Sequence, residues 1–242
     1  MNYASNETLN ALKEFDSATV FKAIVEIMGG PKRSGVGGPQ GSKELENIGG
    51  IPENYTGPDI RCMLPELGSA VGYVVTAEVT TNDPKSEFVD WEEWYSALND
   101  VPAPVISVIK DIDSRPGRGA CVGDSMAAAC KNFGVTGFVV DGSVRDLMGI
   151  KKIGVPVWAS GLVPGHGVFG AVSVNISTTL GSLVVEPGEL IVADTDGCTT
   201  IPRDLDPEVV LEYARDIRKR EVEVMSGYLD PGFTFEKWKA GR

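Results

Sequence analysis

Between Val105 and Ala159, short apolar runs alternate with helical segments, and that alternation restricts the chain to a layered α/β fold. Val105–Ile109 is nearly all apolar and reads as a buried strand. Asp124–Asn132 carries the run Met126-Ala127-Ala128-Ala129, which favours helix, with Asp124 standing where an N-cap belongs. Phe138–Val140 reads as a second buried strand, Asp146–Ile150 as one helical turn and Pro156–Ala159 as a third strand.

The flanking segments extend the pattern. Residues 7–28 read as two helical runs: Leu9, Leu12 and Phe15 share one face, and Phe21, Ile24 and Ile27 continue the spacing. Asp16 and Ser17 would cap the second helix near Ala18. Ala70–Thr80 alternates Val71, Tyr73, Val75, Ala77 and Val79 and reads as a strand. Val89–Leu98 carries Trp91, Trp94 and Tyr95 at helical spacing, read as core or interface. Ala171–Ile176, Leu183–Val185 and Leu190–Ala193 read as further strands, and Glu208–Met225 as a long amphipathic helix. The tail from Gly227 carries Phe233, Phe235 and Trp238 and is expected to pack on something. Gly29–Gly50 is glycine-rich without apolar periodicity and reads as an irregular excursion. The expected organisation is a single domain over 1–242, with an insertion at about 29–55 and a C-terminal helix plus arm at about 207–242, built on a mixed central sheet with flanking helices.

A net charge of −12 opposes a nucleic-acid partner, because phosphate binding needs a basic face. The four cysteines, Cys62, Cys121, Cys130 and Cys198, form no CxxC pair and read as reduced thiols of a cytoplasmic protein. The N-terminus lacks a signal-peptide pattern, and no apolar run reaches the roughly 18 residues of a membrane span.

Chemistry concentrates between Arg115 and Asp146. The basic, glycine-rich stretch Arg115-Pro116-Gly117-Arg118-Gly119 leads through Cys121-Val122-Gly123 to Asp124, and Arg145-Asp146 follows the Phe138–Val140 strand. The 20 residues between Asp124 and Arg145 suffice for a helix and a returning strand, so the groups can converge. A carboxylate at a buried strand's end lies where α/β folds take ligands. Asp146 and Asp124, the latter directly or through water, suit a hard cation such as Mg²⁺ that keeps part of its hydration. The Arg145 fork suits a carboxylate, and free N–H groups at Cys121, Val122 and Gly123 before a helix can hold an anion. Such a site would take a small 2-keto acid, whose cleavage β to the keto group leaves an enolate. The reaction would be a retro-aldol cleavage or a β-decarboxylation. Asp124 could equally be only a cap, and Arg145–Asp146 only a surface ion pair.

This constellation resembles the RraA-like family, whose enzymatic branch is the class II 4-hydroxy-4-methyl-2-oxoglutarate aldolases. The matching residues are Gly123-Asp124, the gap, and Asp141-Gly142-Ser143-Val144-Arg145-Asp146. Pro156–Gly161, Val185–Gly197 and Asp16–Val20 add to them, and the resemblance covers roughly residues 14–226. It implies a swivelling β/β/α sandwich, assembled as a trimer or a dimer of trimers with sites between subunits. It implies Asp146 as direct metal ligand, Arg145 on the pyruvyl part, and Asp124 orienting a metal-bound water and aiding proton transfer. A glutamate from a neighbouring subunit's C-terminal helix, best matched by Glu221, would complete the shell. The cofactor would be Mg²⁺ or Mn²⁺. Gly123, Cys121, Val122, Ser125 and Met126 would join Arg145 in holding substrate, with His166, the only histidine, and Arg118 as further candidates. The Arg115–Gly119 loop, the 29–55 insertion and the Trp91/Trp94 segment depart from the short members. The implied activity is a divalent-metal lyase acting through a pyruvate enolate, as an aldolase or an oxaloacetate decarboxylase. A metal-assisted hydrolysis or hydration of a carboxylated substrate, or a non-enzymatic protein-binding regulator, are the alternatives.

Overall fold

The computed structural model describes residues 3–32 and 52–240; most of the glycine-rich 29–55 segment lies outside them. Helices α1 (Asn6–Leu12) and α2 (Ser17–Ile27) follow the expected split at Asp16, whose carboxylate accepts from Thr19 N at 2.6 Å. Capping satisfies one of the amides that a helix start leaves without an intrahelical partner.

The centre is a nine-stranded mixed sheet. Its strands are β1 (Arg61–Cys62), β2 (Ala70–Thr80), β3 (Val105–Asp111), β4 (Ala120–Val122), β5 (Val135–Val144), β6 (Val157–Leu162), β7 (Gly170–Val174), β10 (Leu190–Ala193) and β11 (Cys198–Ile201). The main path runs β1-β6-β5-β3-β2-β10-β11, with β4 beside β5 and β7 beside β2. The pairs β2–β3, β3–β5, β5–β6 and β4–β5 are parallel, and the outer pairs are antiparallel. Strands β8 (Thr178–Leu180) and β9 (Leu183–Val185) form a separate hairpin. Helices α3 (Trp91–Asp100), α4 (Asp124–Asn132) and α5 (Leu147–Ile153) connect the parallel strands, and α6 (Pro207–Tyr228) and α7 (Phe235–Ala240) close the chain.

Both faces of the sheet are covered, so the alternation in β2 does not mark a wet face. Val75, Ala77 and Val79 enter a core shared with Trp94, Leu98, Ala127, Phe138, Val140 and Ile150 under the connecting helices. Val71 and Tyr73 enter a second, with Leu12, Ile24, Val210 and Ile217 of α1, α2 and α6. Val74, Ile106, Val108 and Trp158 meet Leu180, Leu183 and Val185 of the hairpin in a third. Each such fully buried large side chain contributes about 1.5–3 kcal/mol of transfer free energy. Trp94, fully buried, is core, one of the two roles read from its helical spacing with Trp91 and Tyr95.

Four features differ from the sequence reading. Asp124 is not the N-cap of α4: Gly123 holds that position without a side-chain bond, and Asp124 is the first helical residue. Strands β1, β4, β8 and β11 are additions to the expected set, because they lack the run of large apolar residues that marks the equally short β9 and β10. The run read as a loop at Cys121 and Val122 is strand β4. The tail does not bury its aromatics in this chain: α7 has no buried residue and Phe235 is 66% exposed. Its rings pair locally instead, Tyr228 with Phe233 and Phe235 with Trp238. No helix among the described residues is long and apolar enough to cross a membrane.

Candidate active site

Two parallel strands end side by side and turn into two helices. Val122 ends β4, and its carbonyl accepts from Arg145 N at 2.9 Å, just past the end of β5. Gly123 then caps α4, and Ala127 N donates to its carbonyl at 3.0 Å. The amides of Asp124, Ser125 and Met126 are the α4 donors without an intrahelical acceptor. They add to the positive end of the helix dipole.

Asp146 caps α5 with its backbone rather than its side chain. Its carbonyl accepts from Gly149 N at 2.8 Å and Ile150 N at 3.0 Å. Its φ of 56° and ψ of 35° are left-handed, a conformation that costs most L-residues roughly 1–2 kcal/mol and Asp or Asn less. A non-glycine residue held there is a mark often found at functional sites. Arg145 Nε lies 3.1 Å from Asp146 Oδ2, with the two side chains 34% and 41% exposed. That contact uses one edge of the guanidinium, and no hydrogen bond or ion pair occupies its terminal nitrogens among the described residues.

The two carboxylates interlock through glycines. A Cβ at Gly123 would lie 2.9 Å from Asp146 Oδ2 and 3.2 Å from Arg145 Nε. A Cβ at Gly149 would lie 2.4 Å from Asp124 Oδ2. Each carboxylate therefore occupies the space that a missing side chain leaves at the start of the other's helix. This brings Asp124, Arg145 and Asp146 to adjoining helix starts, as the 20-residue gap allows. Two carboxylates brought to adjoining helix starts would fit a Mg²⁺ or Mn²⁺ ion that keeps water ligands. No cluster of three or more His, Cys, Asp or Glu suited to a metal occurs within the chain among the described residues.

The remaining candidates stand further out. Cys121 and Val122 have buried side chains, so only their backbone could meet a ligand. Burial, with Asp111 adding to it, pushes the Cys121 thiol far above the ordinary thiol range, which removes it as a nucleophile. Ser125 Oγ lies 3.4 Å from Asp124 Oδ1. His166 is exposed, with Nδ1 2.9 Å from Gly167 O. The Arg118 guanidinium meets Asp113 and the Asn82 carbonyl, both at 2.8 Å. Glu221 lies on α6, where it pairs with Lys22 of α2.

The sequence reading missed Gly149, Asp111 and Asp113. Asp111 and Asp113 are buried at the end of β3 and bind the loop that leads into β4. Burial, then repulsion from Asp113, outweighs the hydrogen bonds to Asp111 and raises its carboxyl above the usual range. Burial pushes Asp113 the same way, but bonds from Arg115 N and the Arg118 guanidinium hold it below that range. Two carboxylates at the end of an apolar strand were the available signal.

A family model described as Aldolase/RraA, RraA-like, matches residues 43–200. A Halalkalibacterium halodurans protein named "Putative 4-hydroxy-4-methyl-2-oxoglutarate aldolase" is 35% identical over 97 residues, 40% of this chain and 46% of the relative. An Alcanivorax borkumensis protein of the same name is 34% identical over 89 residues, 36% of this chain and 56% of that one. The chain thus spans about half the length of these curated relatives. Among solved structures, an uncharacterized Pseudomonas syringae protein superposes with a TM-score of 0.69 at 20% identity, over 100% of this chain and 96% of its own. Streptomyces coelicolor RraAS2, described as an unusual member of the RNase ES inhibitor RraA protein family, superposes with a TM-score of 0.64 at 19% identity, over 92% and 98%. Their shared architecture is the swivelling β/β/α sandwich. With a family match across the sheet and both helix starts, the chain belongs to the RraA-like family.

Proposed function

We propose that the chain is a divalent-metal-dependent lyase that breaks a carbon–carbon bond of a small 2-keto acid, as a 4-hydroxy-4-methyl-2-oxoglutarate-type aldolase, an oxaloacetate decarboxylase or both. The observation that carries this reading is the convergence of Asp124, Arg145 and Asp146 at two adjoining strand ends. The aldolase names of the relatives support it.

In this reading the free edge of the Arg145 guanidinium holds the substrate carboxylate, aided by the amides of Asp124, Ser125 and Met126. Asp146 would hold Mg²⁺ or Mn²⁺, and Asp124 would help hold it by orienting its water. When bound, the cation supplies Lewis-acid stabilisation of charge developing on the keto oxygen. Retro-aldol cleavage gives up the C4 hydroxyl proton to water as the C3–C4 bond breaks, releasing pyruvate and a three-carbon enolate; decarboxylation releases CO2 and the same enolate; in both, Asp124 guides a proton through water to the enolate's terminal carbon. The glycine interlock fixes both carboxylates before substrate arrives, so little reorganisation is needed. The assembly in this reading is a homotrimer or a dimer of trimers. Glu221 of a neighbouring copy would then exchange its Lys22 partner for the cation.

The test is pyruvate release from oxaloacetate and from 4-hydroxy-4-methyl-2-oxoglutarate, with Mg²⁺ or Mn²⁺ and then with EDTA. Metal-dependent pyruvate is expected, and Arg145→Lys should lower kcat/KM at least about tenfold because a point charge cannot replace the fork. Absence of pyruvate with metal bound would redirect the reading to hydrolysis or hydration of another carboxylated substrate. Absence of both would redirect it to a protein-binding regulator.

A further inference from the structure

The C-terminal arm carries apolar groups that its own chain leaves uncovered. Val222, Met225 and Leu229 recur at helical spacing along the end of α6, and all three are exposed. On α7, Phe235 and Trp238 lie three positions apart, with ring centroids 5.6 Å apart. Lys237 and Lys239 flank Trp238, so this short helix joins two aromatic rings to two lysines on a chain of net charge −12. Large apolar groups gathered in this way mark a contact surface.

At the opposite end of α6 the chain has an open groove of about 490 Å³. Tyr73, Leu190 and Ile201 give it an apolar lining, and Asp204, Asp206 and Glu208 stand beside them. None of the three carboxylates is in an ion pair among the described residues, whereas the cation of this lining, Arg203, is paired with Glu186. The volume falls within the about 300–1,000 Å³ of sites that enclose small ligands. An apolar lining with free carboxylates complements two rings flanked by lysines. Two other recesses fit less well. One of about 530 Å³ carries Lys13 and Lys131, which would repel the lysines of α7. One of about 290 Å³ is smaller than that range and has a single carboxylate, Asp196.

The arm cannot fill the groove of its own chain. Asp206, Pro207 and Glu208 place the groove at the start of α6, and a helix of 22 residues is about 33 Å long. From Tyr228 to Phe235 there are seven residue steps, which span at most about 25 Å when fully extended. The link is not extended: Phe233 N donates to Asp230 O at 2.8 Å, and the Phe233 ring lies 5.1 Å from that of Tyr228. The arm therefore stays at the far end of α6.

We propose that the groove beside Tyr73, Leu190 and Ile201 receives α7 of a second copy of this chain, with Phe235 and Trp238 on the apolar lining and the lysines toward Asp204, Asp206 and Glu208. The contact joins two different surfaces, so it is head-to-tail and closes into a ring or is exchanged between two copies. It does not rest on the keto-acid reading of Asp124, Arg145 and Asp146.

Carbodiimide cross-linking of the full chain tests this, because it joins a lysine directly to a carboxylate in contact with it. Denaturing electrophoresis then separates linked pairs of chains from single chains, and peptide mapping identifies the joined residues in each. Lys237 or Lys239 joined to Asp204, Asp206 or Glu208 is expected in the linked pairs. Phe235→Asp should lower that product at least about tenfold, the loss expected when an aromatic anchor leaves an interface. Its Tm should be unchanged, because α7 has no buried residue. The Lys151–Glu66 pair, 2.6 Å apart within one chain, should link equally in both proteins. Absence of the arm-to-groove link from the wild-type pairs, which would leave the arm to a different protein, overturns the proposal. Its presence in single chains, or its survival in Phe235→Asp, does so too.

Discussion

The left-handed backbone at Asp146 allows its two roles to be measured separately. Asn tolerates that conformation about as well as Asp, whereas Ala meets a steric cost of about 1 kcal/mol. All neutral substitutions lose the Arg145 contact, but with both partners a third or more exposed that loss is only about 0–1 kcal/mol. Gly relieves the backbone but loosens the unfolded chain by about 0.4–1 kcal/mol. Asp146→Asn should therefore lie close to wild type in stability, Asp146→Ala about 1 kcal/mol below Asn, and Asp146→Gly between them. For a chain of this size 1 kcal/mol corresponds to about 2–4 °C in Tm, within reach of circular-dichroism melts. All three variants should stay folded and lose metal-dependent pyruvate release. Equal melting of the Ala and Asn variants would refute the backbone argument. Wild-type turnover in Asp146→Asn would remove its carboxylate from the site.

Gly149→Ala sets helix propensity against the glycine interlock. Ala gains about 1 kcal/mol over Gly in a helix, but its Cβ would lie 2.4 Å from Asp124 Oδ2, an overlap of the kind that costs about 1–3 kcal/mol. A lower Tm and at least a tenfold loss of turnover, on the order of 1.4 kcal/mol, are expected; a stabilised, fully active variant would refute the packing. At Asp16, burial raises the carboxyl pKa, but bonds from Thr19 and the Arg218 charge outweigh it and hold it below the usual value. A lowered folded pKa contributes stability that is present above pH ~4 and is lost as pH falls through the folded value. Asp16→Ala should lower Tm at pH 7 and flatten its decline below pH ~4; an unchanged acid limb in the melting profile would contradict the linkage. Among the thiols, Cys62 is half-buried, while Cys121, Cys130 and Cys198 are buried, with Cys130 pushed up to about 12 by burial. Alkylation at pH 8 followed by peptide mapping should label Cys62 first, and rapid labelling of Cys130 would show that its region opens.

Elements with uninterrupted local patterns are legible in the amino-acid sequence. β2, α4, β9 and β10 have the expected bounds, because each is a local run with Gly, Pro or a charged residue within a few positions of its ends. Strands β1, β4, β8 and β11 lack the large apolar run that marks the equally short β9 and β10, and their segments become strands only when a neighbour supplies hydrogen bonds. β4 is the instructive case: pairing with β5 makes a strand of an expected loop and moves the cap of α4 from Asp124 to Gly123.

What the sequence by itself determined was the layered α/β class and the residue types at the site. Alternation of buried strands with helices, and the spacing of Asp124 from Arg145-Asp146, are properties of neighbours along the chain. Only the tertiary structure decided how those residues meet. The bond from Arg145 N to Val122 O, the interlock of two carboxylates through Gly123 and Gly149, and the anchoring of the Arg115–Arg118 turn by Asp111, Asp113 and Ser143 join separate segments. Such contacts depend on the space left by absent side chains and on strand register, neither of which is a local property of sequence.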